Sequence, residues 1–152
     1  TINYNYTKGI CNYTYAVNIN ITKLPPSIRY TTPAIFYINY AHARINQVFK
    51  KAEVTFDDIK DIDFLNLNQD GLNLVYESLL LESILVEAFT KRDMQKITEY
   101  LYNLASSVHK FYNEHKVIGS DEQNVYLKVL AMAALSINVG LGLLGITAKE
   151  QM

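Results

Sequence analysis

A bundle of four main helices with shorter ones between them, all-α throughout, is what this 152-residue chain predicts. Three observations carry that expectation. From residue 34 onward, apolar residues recur at steps of three and four, the period of a helix with one buried face. Capping residues and glycines bracket those runs. The connections are short, which lets neighbouring helices pack antiparallel. With 49% apolar and 19% charged residues, the composition supports one folded domain with a sizeable core and excludes a disordered chain. Two segments are expected: an irregular N-terminal arm over residues 1–33 and an all-helical domain over residues 34–152.

The arm is rich in Asn, Tyr, Thr and Ile, and holds Lys8, Lys23 and Arg29 without a single carboxylate. Tyr13-Thr-Tyr15 and Ile19-Asn-Ile21 alternate weakly, as extended segments do. Pro25-Pro26 and Pro33 forbid a continuous helix through it. Asn-x-Thr triplets at Asn5, Asn12 and Asn20 match the glycosylation pattern, but without a secretion signal an Asn-rich stretch produces them by chance. The segment reads equally as an arm, a linker end or vector-derived residues.

The first helix follows Pro33, a residue tolerated in a first turn, and runs to about Ala52. Ile38, Ala41, Ile45, Val48 and Ala52 form its apolar stripe. One residue earlier at each step lie Tyr37, Tyr40, Arg44, Gln47 and Lys51. At about 100° per residue these make a ridge beside the buried stripe. Two rings, a guanidinium, an amide and an ammonium along one edge suit stacking on unpaired bases and neutralising phosphates. They equally suit a plainer role, with tyrosines capping the core and cations as ordinary surface charge.

Thr55-Phe-Asp-Asp58 reads as a capped start and predicts a short second helix over Phe56–Phe64. Asn66-Leu-Asn-Gln-Asp-Gly71 is a turn by composition. Leu72, Val75, Leu79, Val86 and Phe89, flanked by Leu80 and Ile84, predict one helix from Leu72 to Phe89. Thr90-Lys-Arg-Asp93 reads as another capping box. It opens the most regular helix, in which Met94, Ile97, Leu101, Leu104, Val108, Phe111 and His115 repeat until Gly119 ends it. Tyr102, His109 and Tyr112 lie on its flanks. Ser120-Asp-Glu-Gln123 caps a last long helix, apolar nearly all round through Leu144 and therefore central. Gly145 is the expected C-cap glycine, and Thr147-Ala-Lys-Glu150 offers the start of one further turn.

Charge narrows the function classes. With 14 basic and 15 acidic residues the net charge is −1, so any nucleic-acid site must be a local patch. From Asp57 to Glu87 eight carboxylates stand against Lys60 alone, a segment that an anionic ligand avoids. The single cysteine, Cys11, excludes an intrachain disulfide and a cysteine metal cluster and fits a reducing compartment. No signal peptide is visible. The seventeen uncharged residues from Leu130 to Ile146 fall short of the ~20 a bilayer needs. They read as a buried core helix, so a cytoplasmic location without membrane contact is expected.

Catalysis leaves convergent titratable groups, and few are found. The histidines are His42, His109 and His115; the last two, six apart, lie on different faces of one helix and share no metal there. No H-E-x-x-H, phosphate-cradling glycine loop or nucleophile elbow is present. Gly140, Gly142 and Gly145 read as close helix contact. A weaker enzymatic reading gathers His109, Tyr112 and Glu114. The chain alone reads as a binding module with no catalytic residue, metal or cofactor of its own.

Three blocks in order resemble a known family. Phe36-Tyr-Ile-Asn-Tyr-Ala-His-Ala-Arg-Ile45 is similar to the Tyr-x-x-Tyr-Ala-His-Ala-Arg-Ile signature that opens the C-terminal domain of arginyl-tRNA synthetases. Tyr100-Leu-Tyr-Asn-Leu-Ala105 with Phe111-Tyr-Asn-Glu-His-Lys-Val-Ile-Gly119 resembles that family's later helix. Gly142-Leu-Leu-Gly-Ile-Thr-Ala-Lys-Glu-Gln-Met152 resembles its characteristic terminus. The resemblance implies an all-α anticodon-binding domain of the DALR type, with tRNA as partner. It further implies a separate catalytic domain of the same polypeptide that joins arginine to the tRNA with ATP and Mg. The HIGH-type and KMSKS-type motifs of that domain are not in this sequence.

Carried over by position, Tyr37 and Tyr40 match the signature tyrosines beside the anticodon loop. Tyr112 and Asn113 match the later helix of the base pocket, and Met152 matches the terminal methionine that closes it. Arg44 is expected either to contact phosphate or to pair with a carboxylate of the second or third helix, and Lys51 continues the cationic ridge. His42 also matches the signature, with a hydrogen-bonded structural role expected for it. The alternative function is a free-standing helical protein-interaction module that uses the same aromatic edge.

Overall fold

The computed structural model describes residues 31–65 and 67–152. The expectations for residues 1–30, including the Asn-x-Thr triplets and Cys11, lie outside the described residues. All regular structure among the described residues is helical: α1 (Thr31–Ala52), α2 (Phe56–Ile59), α3 (Gln69–Leu79), α4 (Leu81–Lys91), α5 (Gln95–Glu114) and α6 (Gln123–Leu143). The all-α bundle is therefore as expected, with α1 taking in residues 31–33 and holding Pro33 in its first turn.

Helix α6 is the hub and packs against α1, α2, α3 and α5. Its Leu127, Leu130, Ala133, Ile137 and Leu141 are fully buried. It is long and apolar enough to cross a membrane, yet half of its most apolar stretch is buried inside the protein. Burial is not all round, however, because Leu135, Val139 and Leu143 are exposed. Ile38, Ala41, Ile45 and Val48 of α1 enter the same core as the stripe predicts. A Cβ at Gly140 would stand 2.6 Å from Leu101 Cδ2, so close contact of α5 with α6 demands glycine there. Among the described residues nothing lies within 4 Å of a Cβ at Gly142, and contact with them does not explain it. Gly145 has φ +76° and closes α6, with its own N–H bonded to the Gly142 carbonyl and the Ile146 N–H to that of Leu141.

Several boundaries differ from expectation, some for tertiary and some for local reasons. The helix expected from Leu72 to Phe89 is two helices joined at Leu80. In a continuous helix the Glu77 and Ser78 carbonyls would accept from Leu81 and Glu82. Instead Tyr100 Oη donates to both, at 2.9 and 3.1 Å, and Ser136 Oγ donates to Ser78 at 2.8 Å. Burial pushes the Tyr100 phenol up to about 12, which keeps it a donor. Helix α3 also starts earlier than expected, because Asn68 Oδ1 accepts the Gly71 N–H at 2.8 Å and caps it. Gly71 thus belongs to a first turn, with Leu67 packed where a Cβ would be.

Helix α2 is capped as predicted, the Asp58 carboxylate accepting from both the N–H and the hydroxyl of Thr55. It ends at Ile59, short of Phe64. Lys128 of α6 accounts for this: its Nζ donates to the carbonyls of Lys60 and Ile62 and lies 5.0 Å from the Phe64 ring. Thr90 does not open α5 but sits in α4, where its hydroxyl donates to the Val86 carbonyl. Arg92, at φ 51° and ψ 39°, ends that helix in a left-handed conformation. Helix α5 stops at Glu114 with His115 extended, before Gly119. The further turn expected at Thr147–Glu150 does not form, because both backbone polar groups of Lys149 are bound by α1 side chains.

Candidate nucleic-acid interface

Helices α1 and α5 pack together, and their adjoining flanks build one aromatic and cationic edge. The ridge beside the buried stripe of α1 supplies Tyr37, Tyr40 and Arg44. Helix α5 supplies Tyr102, His109, Tyr112 and Asn113, at steps of seven, three and one. Tyr37 lies 5.0 Å from the Tyr102 ring and 4.8 Å from that of His109. Tyr40 is 5.4 Å from His109. The Arg44 guanidinium sits 4.1 Å above the Tyr112 ring, and its Nη2 donates to Asn113 Oδ1 at 3.4 Å.

Helical geometry explains why these side chains meet. Residues 37, 40 and 44 step by three and four and share one face, as do 102, 109 and 112 on the facing helix. The two sets mesh with their rings tilted, an ordinary arrangement for aromatic pairs. Tyr40 and Tyr102 remain 45% exposed, which leaves ring surface open to a ligand. Arg44 has no carboxylate within ion-pair distance among the described residues. Of the two roles expected for Arg44, pairing with a carboxylate of the second or third helix is not found, and the guanidinium stacks on Tyr112 instead. A cation over an aromatic face keeps its charge, so Arg44 still presents a positive group at this edge.

His109 is buried, and that burial lowers its pKa below the usual imidazole value. The Arg44 charge adds to the effect, and the Tyr37 carbonyl opposes it. The ring is neutral at neutral pH. Among the described residues its Nε2 has no hydrogen-bond partner. The weaker grouping of His109, Tyr112 and Glu114 is not assembled. His109 packs on Tyr37 and Tyr40, Tyr112 lies beneath Arg44, and Glu114 stands with Asp70 and His115.

The opposite flank of α1 holds the chain's end. Asn39 Oδ1 accepts the Lys149 N–H at 2.9 Å, and His42 Nδ1 donates to the Lys149 carbonyl at 2.8 Å. Asn46 Nδ2 donates to the His42 carbonyl at 3.0 Å. His42 is the hydrogen-bonded structural residue expected, although it binds the tail and not a neighbouring helix. Met152, three residues beyond that anchor, is exposed, as is Lys51 near the end of α1. Neither is brought into the aromatic cluster. Sequence reasoning did not assign Tyr102, His109 and Asn39 to the tRNA edge, leaving the first two on a flank of α5 and His109 in the weaker enzymatic grouping. The steps of seven and three linking positions 102, 109 and 112 were the signal for the first two.

The model of the DALR anticodon binding domain matches residues 38–152. Over 118 residues, 78% of this chain, the sequence is 86% identical to an arginine–tRNA ligase of Aliarcobacter butzleri and 54% to one of Campylobacter lari. It spans 22% of the length of each. The structure of an arginyl-tRNA synthetase from Campylobacter jejuni superposes with a TM-score of 0.77 at 52% identity, covering 78% of this chain and 26% of that one. That of the Thermus thermophilus enzyme superposes at 0.68 with 27% identity, covering 76% and 21%. Fold, signature residues and family model agree: the chain belongs to the DALR anticodon-binding domain family.

Proposed function

We propose that the chain grips the anticodon stem-loop of an arginine-accepting tRNA as the anticodon-binding part of a cytoplasmic arginine–tRNA ligase. The observation that carries this reading is the edge formed by Tyr37, Tyr40, Tyr102 and Tyr112 with Arg44 among them. Aromatic platforms hold unstacked bases at about 1–3 kcal/mol each, Asn113 offers an amide to a base edge, and Arg44 offers charge to a phosphate. Among the described residues none of the carboxylates between Asp57 and Glu87 is within ion-pair distance of Arg44, so its charge stays available to an anion on a chain of net charge −1. The matched segment spans 22% of the length of these ligases. Ligation, with its ATP and Mg, is assigned to a catalytic domain of the same polypeptide, and this segment contributes affinity and discrimination without chemistry. Lys51 and Met152 are assigned to the rim of the complex.

Binding of an arginine tRNA by Tyr40→Ala and Arg44→Ala variants tests the reading. Tyr40→Ala should weaken binding about tenfold, one stacked base, with helix content unchanged by circular dichroism. Affinity equal to wild type in both variants would sink the assignment of this edge.

A further inference from the structure

One residue of the edge is not explained by packing. His109 sits on α5 only 8% exposed, wedged against Tyr37 and Tyr40. Its Nε2 has no hydrogen-bond partner among the described residues. Burying an unpaired polar atom is unfavourable, and a phenylalanine would fill the space between the tyrosines without that penalty. The Tyr37 carbonyl favours a proton on the ring. With Nε2 unpartnered, we assign that proton to Nδ1, and in a neutral imidazole Nε2 then carries the lone pair. A buried acceptor is thereby held, unused, inside the aromatic edge.

We propose that His109 Nε2 reads one unstacked base of the loop, accepting a hydrogen bond from its exocyclic amine. Tyr40, 45% exposed, is the ring that swings outward to admit the base and then stacks on it. Tyr37, packed on both Tyr102 and His109, stays as the platform. Cytosine and adenine offer such an amine, whereas uracil and guanine present a carbonyl at the same position, which the lone pair rejects. This inference rests on the anticodon reading above and makes His109 its specificity-determining residue.

The test titrates the full chain, His109→Phe and His109→Gln with an arginine-tRNA anticodon stem-loop. It repeats each titration with loops in which every amine-bearing base is exchanged for uridine in turn. Wild type should lose about tenfold in affinity at one exchange, the worth of one hydrogen bond. His109→Phe should bind the two loops alike and melt at a higher temperature. His109→Gln, whose amide oxygen reaches the place of Nε2, should keep the preference. A wild-type preference retained by His109→Phe overturns this assignment and leaves the anticodon reading standing. A wild-type chain that binds no loop overturns both. Should His109→Phe not fold, the imidazole nitrogen signals of the wild-type chain decide. An Nε2 resonance that moves with the cognate loop and not with the exchanged one supports the proposal, and one that moves with neither refutes it.

Discussion

Shortening Asn39 to alanine should release the C-terminal tail. Asn39 is 1% exposed, and its Oδ1 accepts the Lys149 N–H at 2.9 Å. His42 holds the carbonyl of the same residue at 2.8 Å. A neutral hydrogen bond contributes about 1 kcal/mol net, so Asn39→Ala should raise the open population of the tail about fivefold. Adding His42→Ala should bring that to about thirtyfold if the two bonds contribute independently. Global stability should fall less. Among the described residues Asn39 Nδ2 is itself buried without a partner, and removing it offsets part of the loss, so the melting temperature should drop by no more than about 4 °C. Amide hydrogen exchange followed residue by residue is the assay. The Lys149 amide should lose protection, while core amides such as those of Leu127 and Ile137 follow only the global change. Equal protection of Lys149 in wild type and Asn39→Ala would refute the reasoning, since that amide would then have another partner.

Tyr100→Phe leaves the Glu77 carbonyl without its side-chain donor while Ser136 still serves Ser78. It should lower unfolding free energy by about 1–2 kcal/mol in urea titration. Arg92→Gly should raise stability by about 0.5–1 kcal/mol, because a side chain at φ 51° is strained and glycine is not. An unchanged or lower denaturation midpoint would contradict that. Acid should weaken the fold through His109, whose pKa is lowered from 6.5 by burial first and Arg44 second. The unfolded chain then binds the proton more readily. The contribution is therefore present above about pH 6.5 and lost as pH falls through the lower folded value. Urea midpoints should drop on acidification below that pH, and less steeply in His109→Phe.

What was legible in the sequence and what was not follow from the range of the forces involved. The stripe Ile38, Ala41, Ile45, Val48 and the Thr55–Asp58 cap depend on neighbours within a turn or two, and both are found in the structure. The break at Leu80 depends on Tyr100 and Ser136, and the early end of α2 on Lys128. No local pattern in those helices announces such distant donors. Thr90-Lys-Arg-Asp93 has the composition of a capping box, but Arg92 in the left-handed region places the boundary inside it. At the site, period alone put Tyr37, Tyr40 and Arg44 on one ridge of α1. Only packing revealed that Tyr102 and His109 complete it, that Arg44 takes a ring and an amide in place of a carboxylate, and that Asn39 anchors the tail.

The central claim is that the α1–α5 edge reads bases as well as gripping phosphates. It is tested most directly by titrating the chain with an arginine-tRNA anticodon stem-loop and with one carrying a changed central base, each at two salt concentrations. Phosphate contacts release counterions, so affinity for both loops should fall steeply with salt. The preference for the cognate loop, made of stacking and base-edge contacts, should survive the higher salt. Equal affinity for the two loops at both concentrations would contradict the account, leaving a surface that holds phosphates and reads nothing.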